Sequence, residues 1–179
     1  TSVSSPSQNG GTVSLAGGVV TYTPPANFSG PDTFFYTVAD NGSPGLSASA
    51  IVTINVSTVN DSPVAGGDLA STAEDVVLTL STATLLLNDN PGSGESGQTL
   101  SISSVSPASA QGGTVSLAGS TITYTPPANY FGSDQFTYVL VDNGTPPQQA
   151  VGAVVVTITE VNDPPVARPD VFSATEDTP

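Results

Sequence analysis

The chain repeats itself with a period of 102 residues and without gaps. Gly11–Gly17 returns as Gly113–Gly119, and Thr21–Asn27 returns as Thr123–Asn129. About half of the positions in residues 1–77 are identical to their partners in residues 103–179. A repeat of this length corresponds to one domain, and stacked copies of one domain form a rod. The repeat therefore predicts a mechanical or adhesive role.

The period also predicts the domain boundaries. Residues 62–163 form one complete unit, residues 1–61 are the C-terminal part of a preceding copy, and residues 164–179 begin a following copy. We expect the natural protein to be longer, with copies on both sides. Residues 1–61 should be poorly stable unless the missing strands are supplied. A segment like 164–179 from another molecule could add a strand to the exposed edge.

The charge of the chain excludes several partners. The formal net charge is −14, because fifteen acidic residues face one basic residue, Arg168. Phosphate groups are bound by Lys and Arg, so nucleic acids and anionic membrane surfaces are poor partners. No apolar run is long enough to insert into a membrane, which takes about 20 residues. The absence of Cys excludes disulfides and thiolate metal sites.

The same composition argues against an enzyme. Without His, Cys or Lys, the chain has no imidazole base, no thiol nucleophile and no Schiff-base amine. Paired carboxylates could still hydrolyse glycosides. However, the acids recur near turns and linkers, a pattern that is more typical of metal binding.

Apolar residues alternate along short segments, which predicts strands. Ile122 and Tyr124 share one face of a strand, as do Phe136, Tyr138 and Leu140. About seven strands in roughly 100 residues predict an all-β fold of tandem immunoglobulin-like β-sandwich domains with a core of aromatic residues. The predicted strands cover residues 68–72, 76–80, 99–105, 113–117, 121–125, 135–140 and 153–159.

Three sets of motifs together resemble a known family. Thr123–Tyr138 resembles the signature of bacterial cadherin-like (VCBS-type) repeats, and Val59–Pro63 resembles a cadherin linker. Leu86–Asn90 with Leu100–Val105 is similar to the opening of those repeats. The resemblance covers essentially the whole chain. It implies tandem cadherin-like sandwiches in large secreted or surface-anchored bacterial proteins, often adhesins, in which calcium at the domain junctions stiffens the rod.

The resemblance also implies a set of calcium ligands. Calcium takes six to eight oxygen ligands, and clustered carboxylates repel one another unless a cation neutralises them. The implied residues are the linker pairs Asn60, Asp61, Asn162 and Asp163; Glu74 and Glu176 near the start of a repeat; Asp32 and Asp134 before a late strand; and Asp68, Asp75, Asp170 and Asp177, which neighbour the linkers.

Two departures from the family pattern weaken this expectation. Cadherin linkers usually carry an acid two residues before the Asn; the second linker has Glu160 there but the first has Thr58, so the first linker is the weaker match. The opening loop normally alternates Asp residues, but here only Asp89 and Glu95 are acidic, which argues against calcium in that loop. The alternative is that the junction acids cap turns, because Asn and Asp bond their own backbone.

These observations predict a structural, calcium-stiffened stalk or fibre segment of a bacterial extracellular or cell-surface adhesion protein. Its partners would be neighbouring repeats and, in a fibre, other copies of the chain. One alternative is a self-assembling filament whose subunits donate strands. A second is a carbohydrate-binding β-sandwich module. The absence of Trp and the alternation of the aromatic residues argue against the second alternative.

Overall fold

The computed structural model describes residues 1–174 and 176, which form two β-sandwich units. We call them the five-stranded unit and the seven-stranded unit. The first contains β1 (Ser2–Val3), β2 (Thr12–Ala16), β3 (Val19–Thr23), β4 (Gly30–Ala39) and β5 (Ser47–Val56). The second contains β6 (Gly67–Ala73), β7 (Leu78–Ser81), the helix α1 (Thr82–Leu85) with a 3-10 turn at Leu86–Asn88, β8 (Leu100–Val105), β9 (Thr114–Ala118), β10 (Thr121–Thr125), β11 (Gly132–Asp142) and β12 (Gln149–Thr159).

The seven-stranded unit has the predicted architecture. A four-stranded sheet in the order β6-β12-β11-β8 faces a three-stranded sheet in the order β7-β10-β9. Neighbouring strands are antiparallel except β6, which runs parallel to β12 from the Gly67–Ala153 pair to the Ala73–Thr159 pair. The prediction of an all-β sandwich of about seven strands is therefore confirmed.

The core of this unit consists of the alternating residues that the sequence indicated. Ile122, Tyr124, Phe136, Tyr138 and Leu140 are all buried. The rings of Tyr124 and Phe136 stack with their centroids 5.9 Å apart. Because the chain has no disulfide and no Trp, burial of these apolar side chains is the main stabilising contribution between the sheets.

Several local features differ from the predictions. Strands β11 and β12 begin three and four residues earlier than predicted, at Gly132 and Gln149. The short helix α1 was not predicted; it begins after Ser81, whose Oγ accepts a hydrogen bond from Ala83 N at 3.3 Å, and it buries Leu85 in the core. Strand β7 begins at Leu78, two residues later than predicted. The delay follows from a turn in which Asp75 has φ of +59° and Val76 N bonds Ala73 O.

The five-stranded unit is open on one side. Its strands correspond through the 102-residue period to the end of β8 and to β9–β12, and nothing in β1–β5 corresponds to β6 or β7. Core positions are consequently uncovered. Val20 is 44% exposed where its partner Ile122 is 0% exposed, and Val38 is 43% exposed where Leu140 is 0% exposed.

A buried carboxylate joins a loop to the strands in each unit. Asp134 accepts hydrogen bonds from Ser109 Oγ (2.5 Å) and Tyr124 OH (2.6 Å), and from the backbone N–H groups of Gln111 (2.8 Å) and Gln135 (2.7 Å). Asp32 occupies the same place in the five-stranded unit. Its carboxylate accepts from Ser7 Oγ, Tyr22 OH, Asn9 N and Thr33 N.

These bonds decide the role of the two carboxylates. Burial would raise the pKa of Asp32, but the hydrogen bonds from Ser7, Asn9, Tyr22 and Thr33 outweigh it and hold the pKa at about 2. The pKa of Asp134 is lowered by the same balance of burial against hydrogen bonds. A carboxylate has about four acceptor sites, so protein donors occupy both groups. The metal-ligand role expected for Asp32 and Asp134 stays a prediction, and both groups already have protein donors.

Replacement of this carboxylate should destabilise the fold. Asp134→Asn leaves the hydroxyls of Ser109 and Tyr124 without their acceptor, and we expect a loss of about 3 kcal/mol in the free energy of unfolding at pH 7. Urea unfolding followed by circular dichroism measures it. Glu160→Gln, which changes an exposed acid, is the matched control. Equal unfolding free energies for the two variants would contradict this role.

The same carboxylates should make the stability of the fold sensitive to acid. Their pKa values are lower in the folded protein than in the unfolded chain, where Asp titrates near 4. The unfolded state therefore binds more protons, and the stabilisation is present above about pH 4 and lost as the pH falls towards about 2. Urea unfolding measured between pH 5 and 2 should show this decline in the free energy of unfolding. In Asp134→Asn the free energy of unfolding should fall less steeply with decreasing pH than in the parent chain. An unchanged slope in the variant would contradict the assignment.

Candidate functional site

The linker between the two units is held by the side chain of Asn60. Its Nδ2 donates to both carboxylate oxygens of Asp142 at 3.1 Å and to Pro146 O at 2.8 Å. Its Oδ1 accepts from Gln98 Nε2 at 2.6 Å. Asn60 is thereby fixed between the β11–β12 loop and the loop that precedes β8.

The β11–β12 loop is shaped by Asp142 to receive this side chain. Asp142 Oδ1 accepts from Gly144 N (3.0 Å) and Gln148 N (2.9 Å). Burial would raise the pKa of Asp142, but the bonds from Gln148, Asn60 and Gly144 lower it. Gly144 has no room for a side chain, since a β-carbon there would overlap the amide of Asn60. The junction is therefore a close contact between linker and loop.

Glu95 brings a carboxylate to the same junction. Its Oε1 accepts from Asp61 N at 3.1 Å, while its Oε2 and Gln98 Oε1 are buried and have no hydrogen-bond partner among the described residues. A buried polar oxygen without a partner costs about 1–3 kcal/mol. Each of these oxygens marks a place where a cation or water would be stabilising.

The loop of Glu95 also contacts the five-stranded unit. Asn27 Nδ2 donates to Ser93 Oγ at 2.6 Å across the junction. A cleft of about 250 Å³ opens beside this contact and is lined by Thr58, Asp61 and Glu95, among others. The acids of the junction therefore face a space that solvent ions can enter.

A second pair of acids lies at the same end of the seven-stranded unit. Tyr138 OH donates to Asp68 Oδ2 at 3.0 Å and lies 3.3 Å from Asp89 Oδ1, which also accepts from Gly66 N at 2.7 Å. Burial raises the pKa of Asp68, and the charge of Asp89 adds to this effect. Gly152 provides the space for the Tyr138 ring. Asp68 therefore faces Tyr138 and Asp89, and its expected role as a metal ligand stays a prediction.

At the opposite end, Glu74 lies against the second linker. Its backbone N–H bonds Thr159 O at 2.9 Å, and its Oε1 accepts from Val161 N at 2.5 Å. Asp75 caps a turn, because its Oδ1 accepts from Asn129 N. The remaining predicted residues that the structure describes, Asn162, Asp163, Asp170 and Glu176, are exposed; Asp177 lies outside the described residues.

The structure therefore brings Asn60 and Asp61 together with residues that sequence reasoning did not select. These are Glu95, Gln98 and Asp142. Within residues 1–174 and 176, no three Asp or Glu side chains converge as a metal-binding group. A cation at this junction would have to use amide and backbone oxygens beside the carboxylates. Glu95 could have been singled out from the sequence, because it is the one acidic residue in the Gly- and Ser-rich segment 92–97.

The close contact at Gly144 gives a test of the junction. Gly144→Ala should displace the Asn60 side chain and free the linker. Loss of the hydrogen bonds of Asn60 should make local opening of the linker roughly tenfold faster. Hydrogen–deuterium exchange of a peptide that covers residues 57–63 measures it. Gly97→Ala is the control, because a β-carbon at Gly97 meets no atom within 4 Å. The same exchange rate in both variants would contradict the contact.

The comparisons with known proteins agree with this architecture. A model described as "Cadherin-like domain" matches residues 59–157, and a model described as "Bacterial Ig domain" matches residues 1–55. No curated protein matches the chain in sequence. No helix in the described part of the chain has the length and apolar character to cross a membrane.

Several solved structures align with the chain at low identity. Extracellular cadherin domains 1–5 of protocadherin gamma B2 align with a TM-score of 0.50 and 20% identity, over 86% of this chain and 32% of that chain. Drosophila N-cadherin EC1-4 aligns with a TM-score of 0.48 and 20% identity, over 83% and 37%. A nucleoside hydrolase-related hypothetical protein from Saccharophagus degradans aligns with a TM-score of 0.40 and 21% identity, over 56% and 26%.

The chain thus spans less than two fifths of the length of each of these three proteins. The family match is the stronger finding, since it covers residues 59–157, more than half of the chain. The chain belongs to the cadherin-like domain family.

Proposed function

We propose that this chain is a structural segment of a bacterial secreted or cell-surface adhesion protein, in which the junction between units is stiffened by calcium. The family match supports the coarser role of an extracellular adhesion-type repeat. The observation that supports the calcium role is the buried, unpartnered Oε2 of Glu95 beside the linker residue Asp61. The chain would act mechanically, with its neighbouring units as partners.

The donor chemistry at this junction suits calcium. Asp61, Glu95 and Gln98 supply oxygen donors, and calcium prefers carboxylate, amide and carbonyl oxygens. When bound, the ion would neutralise the carboxylates and join the linker to the loop. The net charge of −14 with a single Arg leaves few protein cations to do the same. Asn60 would position the linker through its bonds to Asp142.

A corresponding junction would lie at the far end. Glu74 already contacts Val161 in the second linker. Asn162 and Asp163 repeat the motif of Asn60 and Asp61, and Asp170 and Glu176 follow them. We include in this proposal the domain boundaries 1–61, 62–163 and 164–179, with residues 164–179 opening a further unit. The second junction would form when that unit folds.

The alternatives differ in their support. Strand donation between subunits stays a second proposal for the chain, since an unpaired strand edge can accept an added strand. By contrast, Tyr124, Phe136 and Tyr138 lie in the core of the seven-stranded unit. They are not available as a platform for sugar rings, so we do not propose a carbohydrate-binding module.

Calcium titration tests the proposal. Isothermal titration calorimetry of the metal-free chain should detect calcium binding, with a dissociation constant on the order of 10⁻³ M or tighter, as in extracellular calcium modules. Calcium at 100 times that constant would stabilise the fold by about 2.7 kcal/mol and raise the melting temperature. Glu95→Gln keeps the side-chain shape but removes the charge, and should weaken binding at least about tenfold.

Glu160→Gln is the control, since it removes one exposed carboxylate from the second linker. Glu160→Gln should change calcium affinity at the first junction only slightly. Absence of binding heat and of any rise in the melting temperature would contradict the calcium role. Equal calcium affinity in Glu95→Gln and the parent chain would contradict the assignment of Glu95.

A further inference from the structure

The four-stranded sheet of the seven-stranded unit presents apolar side chains to solvent on its outer face. Val139 of β11 lies opposite Val151 of β12, and Leu69 of β6 lies opposite Val155. Leu69 is 87% exposed and Val151 is 68% exposed. Neighbours two residues apart on the same strand connect these pairs into one patch. This outer patch consists of Leu69, Val139, Val141, Val151, Ala153 and Val155.

The outer patch lies on a face without charge. Across the described strands of this sheet, no Asp, Glu, Lys or Arg points outward, because the acids that these strands contain, Asp68, Asp134 and Asp142, are buried. The whole chain carries a net charge of −14. Two copies of so acidic a chain repel each other. An uncharged face allows them to make close contact at a low electrostatic cost.

The outward face of the other sheet shows what a solvated face of this unit looks like. It carries hydroxyl groups from Thr79 of β7, Thr114 and Ser116 of β9, and Thr121 and Thr123 of β10. Thr and Val have nearly the same shape, and both favour strands. Strand formation therefore does not require valine at outward positions. The valines of the outer patch are better explained by contact with another apolar surface.

The five-stranded unit has an apolar pair on the same face. Phe35 of β4 lies opposite Ile51 of β5, and these side chains are 52% and 59% exposed. Through the 102-residue period they correspond to Thr137 and Ala153. Phe35 and Ile51 point away from the core, so their exposure does not depend on how that core is covered. The apolar character of this face thus recurs although the residues differ.

The same face of a second copy is a suitable partner. It is uncharged and apolar, and the side chains of two such sheets can interdigitate. Strands β11 and β12 pair over ten residues, which gives a face about 33 Å long and, for four strands, roughly 15–19 Å wide. Burial of this face on both copies would remove roughly 1,000–1,200 Å² from solvent, at the low end for specific protein pairs. The size therefore suits a weak, reversible contact.

We propose that the four-stranded sheet of the seven-stranded unit packs face to face on the same sheet of a second copy, with the outer patch at the centre of the contact. The interface is isologous, since each patch meets its own equivalent across a two-fold axis. The two sheets would lie about 10 Å apart, with their strands crossing at about 30°. The contact joins chains side by side. It rests neither on calcium nor on strand donation.

Sedimentation equilibrium of the full chain with chelator present tests this pairing. The chain should form dimers with a dissociation constant on the order of 10⁻⁴ M. Raising the NaCl concentration from about 0.05 to about 0.5 M should strengthen the dimer, because salt screens the repulsion between two acidic chains. A chain that stays monomeric at about 1 mM, ten times the expected constant, would overturn the proposal and leave the face to a different apolar partner.

Substitutions on the two outer faces test whether the outer patch forms the contact. Val151→Glu places a charge in the patch and should weaken the dimer at least about tenfold. Ser116→Glu is the matched control, because it adds the same charge at an exposed position of the other sheet and should change the dimer little. Equal dissociation constants for these two variants would overturn the proposal.

A milder substitution keeps the test valid where Val151→Glu fails to fold. Val151→Thr retains the shape and strand preference of valine and should weaken the dimer about threefold. Circular dichroism checks that each variant has the fold of the parent chain. A dissociation constant for Val151→Thr equal to that of the parent chain would count against the patch.

Nuclear magnetic resonance locates the contact in the parent chain. Backbone amide signals of residues 149–157 in β12 and 137–141 in β11 should shift as the chain concentration rises. Signals of 114–118 in β9 and 121–125 in β10 should stay in place, because these strands form the opposite sheet. Concentration-dependent shifts confined to β9 and β10 would overturn the proposal.

Discussion

The structure depends on the closure of two sheets over one apolar core. A β-sheet of this kind is stable in water only when its apolar face is covered, and a sandwich covers both faces at once. In the seven-stranded unit, β6 and β7 complete the two sheets, and Ile122 and Leu140 are fully buried. In the five-stranded unit the same positions remain open. The exposure of Val20 and Val38 follows from this one difference.

The acidic residues serve two physically different purposes. Asp134 is surrounded by four protein donors and contributes to the stability of the sandwich. Glu95 has one donor from the linker and one buried oxygen with none among the described residues. Both belong to a chain with an excess of negative charge. What separates a structural acid from a candidate cation ligand here is the hydrogen-bond environment, because the residue types alone do not distinguish them.

The fold could be predicted from sequence because its signals are local. The alternation of Ile122 and Tyr124 defines a strand and its buried face within five residues. Helix α1 is a single turn of four residues, too short for apolar periodicity to reveal. The late start of β7 depends on the positive φ of Asp75, which could not be predicted from the sequence.

The junction was harder to predict because its contacts are long-range. Asn60 bonds Asp142, which is 82 residues away, and Asp61 bonds Glu95, which is 34 residues away. The family resemblance predicts that the linker is a ligand region, but it does not predict the residues that the linker contacts. It also grouped Asp134 with the calcium ligands, since a carboxylate before a late strand looks the same in sequence whether it binds a cation or a tyrosine hydroxyl.

Under the proposed function, calcium fixes the two units relative to each other. Because the chain has no Cys, a variant with both Ser14→Cys and Ser116→Cys carries one spin label in each unit. The two residues lie at equivalent exposed positions of β2 and β9. Pulsed electron paramagnetic resonance then measures the distance between the labels. We expect a narrow distribution of label distances with calcium and a broad one with chelator. Distributions of equal width in the two conditions would contradict it.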